Sequence, residues 1–539
     1  MNRRVFWIAA GAIVVLALGL RVFHAAERDS LWGDEAQELG ILRSSATVGE
    51  LLDIVRQDGH PPLHYLIEWG LYRTSGESVV LQRPHLVTYG TLAVVLVMLL
   101  AYRCFGARCA LLTGLLAAAS PYLVAYSTEL RNYSLLAAMG PLFGIAYVRL
   151  LQRRDVRSAA LWGVAAALLS LTHYYGLFVV ATSGVFVLAQ TRSRAGLLHV
   201  AAGAGAFLIV FAPWMPSFLW QTSVDLQAWA RPRTDPRILL RILTYPLGTP
   251  LAIAAGMSLL LGVAHVLRPE RPAQERTAFG GLVFASVGAA VFAYIVQLSR
   301  GSFASRYMIA YTLLLLPAAC LYASRIGTLG DVPVWRGLNS GHVYRLPQKW
   351  HARIGVVLLA LVALGYHAEW KRWGSTRVTA VAHCVELIRE AEQPGDLIIV
   401  SPAWTMLSAA YHYSGPTPMC SPPYGEPVPW MEHLHRVERS QDAHIVRTQV
   451  EVIADHLRQG GRVWFVVRRD QPVDPDSLEQ FPSLAPHPSR LRRHENTIHY
   501  EIATALYREG LVSFRWESDH DAYRYNAVLL RFDPRPRDE

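Results

Sequence analysis

The sequence predicts a polytopic α-helical membrane protein with a C-terminal extracytoplasmic α/β domain, and three observations lead there. The chain of 539 residues is 52% hydrophobic and only 17% charged, too apolar and too charge-poor for an ordinary soluble protein. Its apolar residues are gathered into runs close to the roughly 20 that a helix needs to cross a bilayer. Residues 371–539 break this pattern and alternate short β-branched or aromatic runs with amphipathic stretches.

The N-terminus opens with Asn2-Arg3-Arg4, followed by an apolar run from Val5 to about Leu20. No clear small-x-small cleavage site follows, so the run reads as a retained first span with a cytoplasmic N-terminus rather than a signal peptide. A first outer loop of about 27–80 comes next. From Glu27 to Glu77 it holds ten acidic and four basic residues, as suits the outside. Further spans are expected at 86–102, 110–126, 133–150, 159–173, 175–190, 196–216, 246–266, 278–298, 307–324 and 353–369, about eleven with the first.

Alternation from a cytoplasmic start makes 103–108, 153–157, 192–194, 268–276 and 325–353 the inner connections, and each is net basic. That is the asymmetry the positive-inside rule demands. It accounts for the net charge of +10 without nucleic acid, which is not an expected partner. An odd number of spans leaves 371–539 outside. The chain therefore divides into a membrane domain, 1–370, and an outer domain, 371–539. Within the latter, Asp396-Leu397-Ile398-Ile399-Val400 and Arg462-Val463-Trp464-Phe465-Val466-Val467 read as buried strands, and 441–459 as an amphipathic helix. Cys104, Cys109 and Cys320 lie in or beside spans. Cys384 and Cys420 fall in the outer domain, where a disulfide is one option.

On this topology the unusual polar residues collect on the outer side. The first outer loop carries Leu31-Trp32-Gly33-Asp34-Glu35-Ala36 and Asp58-Gly59-His60-Pro61-Pro62-Leu63-His64-Tyr65. A loop that long with no evident fold of its own is usually functional. Glu129, Arg131 and Tyr133 occupy the connection Ser127-Thr128-Glu129-Leu130-Arg131-Asn132-Tyr133. His173 and Tyr174 form the tip Thr172-His173-Tyr174-Tyr175-Gly176, expected at or below the outer membrane surface. Arg300 and Arg306 sit in an outer loop against the charge trend. Each alone could be a snorkelling side chain. Together they describe an anion held between arginines with carboxylates close by.

As a set and in this order, these motifs, with Arg306-Tyr307, resemble the bacterial family 39 glycosyltransferases. These belong to the GT-C membrane class that includes protein O-mannosyltransferases and the aminoarabinose transferase of lipid A. The resemblance spans about residues 1–370. It implies a polyprenyl-phosphate-linked sugar as donor, a lipid, glycan or protein hydroxyl as acceptor, inversion at the anomeric carbon, and work at the outer face of the inner membrane, with membrane lipids as surroundings. It places the catalytic carboxylate at Asp34, and the adjacent Glu35 is the second catalytic candidate, expected to position a helix, a metal or the acceptor. Where the aminoarabinose enzymes have Glu-Lys before Pro-Pro, this chain has Gly59-His60, with Asp58 one position away. His60, Arg131 and Arg306 are the expected donor-phosphate ligands, with Asp58, Glu129, Tyr133, His173 and Tyr174 as further site candidates.

The chemistry is consistent with those assignments. A carboxylate within hydrogen-bond reach can take the proton of a weakly nucleophilic hydroxyl, and arginine's fork matches phosphate oxygens. A divalent metal ion could share the phosphate charge, although no ligand spacing requires one. The alternative from another class is a transporter or flippase of a lipid-linked saccharide, which would place polar groups near mid-membrane; a third is a non-catalytic anchor for the outer domain. Asp474-Pro475-Asp476, Asp519-His520-Asp521 and His433-Leu434-His435 are short acidic or histidine pairs that carry no weight alone.

Overall fold

The computed structural model describes the chain except 77–82, 225–248, 301–303, 327–331, 337–342, 347–352, most of 355–378, 431–441, 475–489, 519–524, and residues 1, 29, 192, 269, 429, 472 and 537–539. Among the described residues, six helices are long and apolar enough to cross a membrane: Arg3–Ala26, Pro84–Phe105, Tyr133–Arg153, Arg194–Ser223, Ala273–Val296 and Arg306–Arg325. Four shorter apolar helices, Ala107–Ala119, Val156–Thr172, Gly176–Ala189 and Ala252–Val266, fall where spans were expected. The eleventh expected span, 353–369, lies largely outside the described residues.

The short helices have identifiable stops. The run read as one span over 110–126 breaks at Ser120. Its side chain caps the next turn by accepting from Leu123 N at 3.3 Å, and Pro121 begins the separate helix Pro121–Tyr126. Proline suits a first helical position because its missing N–H is needed by nothing there. His173 is in extended conformation and ends Val156–Thr172.

The first outer loop is not irregular, as its sequence suggested. It folds into Gly33–Arg43, Val48–Asp58 and Leu63–Ser75. The Thr47 hydroxyl accepts from Glu50 N at 3.2 Å and starts the second helix. Gly59, at φ +82°, ends it in the left-handed region, where a Cβ would be strained. These helices pack on Val156–Thr172 and on the segment around Trp214, through Ile41, Leu42, Leu51, Val55 and Tyr65.

A two-stranded antiparallel hairpin, β1 (Val332–Arg336) and β2 (Val343–Leu346), lies in the expected last inner connection. The C-terminal domain is built on a five-stranded mixed sheet of β3 (Leu397–Ser401), β4 (Met419–Cys420), β5 (Val463–Arg468), β6 (Gly510–Glu517) and β7 (Ala527–Pro534), in the order β4-β3-β5-β7-β6. β3 runs parallel to β4 and β5, and β7 antiparallel to β5 and β6. Alternate side chains of a strand face opposite sides, and β5 shows why its whole run is apolar. Trp464 and Val466 join Val385 and Ile388 of the helix Val381–Ala391 on one face. Val463, Phe465 and Val467 join Ile453, Leu457, Ile502 and Leu506 of the helices Ala443–Arg458 and Arg490–Glu509 on the other. Cys384 belongs to the first cluster and Cys420 packs against the second, so the two thiols are on opposite faces and both are free.

Candidate functional site

The adjacent carboxylates Asp34 and Glu35 open the helix Gly33–Arg43 and part company there. Both lie in its first turn, where the helix dipole favours negative charge. Glu35 is fully buried. One oxygen meets Arg28 Nη2 at 2.6 Å and accepts from Trp32 N at 3.3 Å; the other accepts from Leu130 N at 2.8 Å. Glu35 thus ties the helix start to the 127–132 connection and does not line the cavity beside it. Asp34 does, with a third of its side chain exposed.

That cavity has a volume of about 300 Å³ and lies between the segment after the first helix, the ends of the membrane helices and the C-terminal domain. Arg306 crosses it. Its Nη2 lies 3.3 Å from Asp34 Oδ2, its Nε donates to Tyr133 OH at 2.6 Å, and its guanidinium lies over the rings of Trp32, Tyr133 and Tyr307 at 5.5–5.8 Å. Arg131 approaches from the other side and donates to the Asp34 carbonyl and Tyr65 OH, both at 3.3 Å, and to His60 Nε2 at 3.2 Å. Arginine cannot accept a hydrogen bond, so His60 Nε2 must. The His60 proton is therefore on Nδ1, donated to Asp58 Oδ2 at 2.7 Å. Asp58 also accepts from Tyr65 OH at 2.8 Å and Gln37 Nε2 at 3.0 Å.

Behind this surface runs a buried ionic chain that the sequence reading missed. Glu38, fully buried, lies 3.5 Å from Arg131 and 2.6 Å from His64 Nε2. Glu68, also fully buried, lies 3.6 Å from His64 Nδ1 and 2.7 Å from His85 Nε2. Burial alone would push His64 down, but carboxylates at both ring nitrogens outweigh it and raise its pKa. Burial likewise opposes the charge of Arg131, yet Tyr65, Glu38 and the groups beyond them hold it firmly protonated. Partly buried, charge-paired arginines of this kind are where functional sites are expected.

The 127–132 connection is itself anchored from the first membrane helix, the residues just after it and the start of the helix Pro84–Phe105. Arg21, fully buried, donates to Ser127 Oγ at 3.1 Å. His24 and Arg28 reach Thr128 Oγ1 at 2.9 and 3.3 Å, and Arg83 donates to the Thr128 carbonyl at 3.0 Å. Polar groups at such a depth are costly unless satisfied by protein, and here they hold Arg131 in place.

The C-terminal domain supplies the opposite wall with Trp404, Leu407, Arg468, Glu495 and Tyr525. No sequence motif marked these residues. The domain is docked by Ser408 Oγ donating to the Leu31 carbonyl at 2.6 Å and by Leu31 N donating to His412 Nε2 at 3.2 Å. Gly33 is pressed against Trp404 so closely that a Cβ there would sit 2.9 Å from its ring.

Of the ten residues singled out from sequence, Asp34, Asp58, His60, Arg131, Tyr133 and Arg306 line one cavity. Glu35 and Glu129 are buried beside it. The His173 ring is buried, its centroid 4.5 Å from that of Tyr307 and tilted 44° to it. Tyr174 points away and hydrogen-bonds Gln221, whose amide donates to the Arg56 carbonyl at 2.8 Å and so braces the turn before His60. The Arg300 side chain, Asp476, 519–521 and 433–435 lie outside the described residues. Among the described residues no group of three or more His, Cys, Asp or Glu is placed to hold a metal ion.

Residues 59–220 match the family model described as dolichyl-phosphate-mannose-protein mannosyltransferase. This stretch contains His60, Arg131 and His173 but neither Asp34 nor Arg306. The fold is similar to ArnT from Cupriavidus metallidurans in its apo crystal structure, at TM-score 0.56 and 15% identity, covering 98% of this chain and 98% of that one. The crystal structure of the same enzyme bound to undecaprenyl phosphate gives TM-score 0.54 and 15% identity, covering 97% and 98%. No curated protein sequence matches the chain. The motif resemblance to GT-C glycosyltransferases is borne out by these matches, and the protein has the ArnT-like fold of an integral membrane protein.

Proposed function

We propose that the protein transfers a sugar, with inversion, from a polyprenyl-phosphate-linked donor to an acceptor hydroxyl at the extracytoplasmic face of the membrane. The observation that carries this reading is the pairing of a partly exposed carboxylate, Asp34, with Arg306 at 3.3 Å in a cavity also lined by Arg131 and His60. The likeness to a protein crystallised with undecaprenyl phosphate supports a lipid phosphate as the group those arginines receive.

In this reading the acceptor oxygen attacks the anomeric carbon while its proton passes to an Asp34 oxygen. The anomeric C–O bond breaks on the opposite side, and its electron pair stays on the phosphate. The charge developing there is met by Arg306 and Arg131, and Asp34 also stabilises the oxocarbenium-like transition state. Glu35 fixes the helix that aims Asp34. A transporter would be expected to gather its polar groups near mid-membrane; the groups lining this cavity sit at helix ends.

The test is purified protein assayed against a panel of polyprenyl-phosphate sugars. Asp34→Asn should lower turnover by about 10²–10⁴-fold, the usual contribution of a general base, with donor binding retained. Arg306→Ala should instead raise the donor KM, and Arg306→Lys should rescue only part of it because the fork is lost. Turnover of Asp34→Asn within about tenfold of wild type would remove the carboxylate from the chemistry.

A further inference from the structure

The C-terminal domain reaches Arg306 through the indole of Trp32. Tyr525, next to the last strand, stacks on Trp32 with ring centroids 4.5 Å apart and planes 14° from parallel. The Arg306 guanidinium lies over the same indole at 5.6 Å and over Tyr133 at 5.5 Å, while its Nε donates to Tyr133 OH at 2.6 Å. Tyr525, Trp32, Arg306 and Tyr133 thus form one continuous row from the outer sheet to the membrane helices.

Trp32 is 5% exposed, and among the described residues its Nε1–H has no hydrogen-bond partner. The indole is therefore held by packing on its faces and edges. Tyr525 is anchored by backbone pairing, its carbonyl accepting from Ala380 N at 2.9 Å. Aromatic stacking and cation–ring attraction each favour one geometry over others. A row of them converts the rigid sheet into a fixed position for the guanidinium.

We infer that Tyr525 is a positioning residue for Arg306, acting through Trp32, so that the C-terminal domain completes the donor-phosphate site rather than only roofing the cavity. The inference rests on the reading of Arg306 as a phosphate ligand. Tyr525 borders the cavity, and its effect on the donor runs through Trp32 and Arg306. It narrows the range of orientations that Arg306 samples before the phosphate arrives.

The experiment uses full-length purified protein and measures donor KM and kcat separately. Tyr525→Ala should raise the donor KM about three- to tenfold, the range an aromatic pair or a cation over a ring contributes, with kcat within about twofold. Tyr525→Phe keeps the ring and should behave as wild type. In an Arg306→Ala background, Tyr525→Ala should add nothing to the donor KM, because the residue it positions is gone. Where Tyr525→Ala does not fold, Tyr525→Leu fills the volume without a π face and is expected to show the same rise.

An unchanged donor KM in a folded Tyr525→Ala or Tyr525→Leu protein, with Arg306→Ala still impaired, overturns the inference and leaves the proposed function standing. Effects that simply add in the double variant overturn it as well. If Arg306→Ala itself leaves the donor KM unchanged, the phosphate reading fails and this inference falls with it.

Discussion

Glu35→Gln is expected to damage the fold and not the chemistry, the reverse of what its place beside Asp34 suggests. The Glu35 carboxylate is 0% exposed and Arg28, its partner at 2.6 Å, has only 1% of its side chain exposed. Two backbone amides, of Trp32 and Leu130, also end on this carboxylate. The amide is nearly isosteric and keeps one acceptor oxygen, so it can serve one of those N–H groups but cannot neutralise Arg28. Solvent does not reach the pair to screen the loss. Breaking a buried ion pair by removing one charge typically costs roughly 3–5 kcal/mol, which lowers the folded-to-unfolded ratio by about 10²–10⁴.

The assay is thermal unfolding of wild type, Glu35→Gln, Arg28→Gln and the double variant in one detergent, with turnover measured on the folded fraction. Each single variant should unfold several degrees lower. The double variant should lose less than the sum, because no unpaired charge remains. Turnover per folded molecule should stay within about tenfold of wild type. The reasoning is refuted by a Glu35→Gln protein that unfolds like wild type and has lost turnover. That result, together with an active Asp34→Asn, would exchange the roles of the two carboxylates.

Two smaller predictions complete those made with the site. Gly33→Ala drives a methyl group to 2.9 Å from Trp404, and overpacking of this kind costs about 1–3 kcal/mol; the variant should unfold earlier and lose activity, and wild-type behaviour would show that the outer domain yields freely. His64, whose pKa is raised from 6.5 in the folded state, stabilises the protein fully below about pH 6.5, and that contribution is lost as pH rises through the folded value. His64→Gln should therefore lower the unfolding midpoint more at pH below about 6.5 than at alkaline pH, and an equal loss at both would refute a charged His64.

What the sequence made legible follows from what periodicity and charge sign record. Runs near bilayer length and basic inner connections gave the order of the helices. The uninterrupted apolar runs of β3 and β5 gave strands buried on both faces. Several of the candidates that share the cavity stood out because they break a local rule: Asp34 in an acidic pair after a span, His60 before two prolines, Arg306 against the charge trend of its expected loop. The helices of the first outer loop were missed because their apolar faces pack on neighbouring spans, so Ile41, Leu51 and Val55 look scattered among charges when read along the chain.

The remaining partners were hidden for a different physical reason, which also bears on how the site works. Glu38, Glu68 and His85 look like solvated helix residues until tertiary packing buries them around His64 and Arg131. Trp404, Arg468 and Tyr525 belong to elements that form a sheet domain on their own account and reach the cavity only by docking. A residue whose chemistry is local announces itself in sequence; one whose work is to hold another residue does not. In the proposed reading, Asp34 meets an acceptor only if the Gly33–Arg43 helix start, the 127–132 connection and the C-terminal domain are fixed together. Glu35, Arg28 and Ser408 are the side chains that fix them, and none faces the cavity. The C-terminal domain thus frames the cavity, and its Tyr525 covers one face of the Trp32 indole beside Arg306.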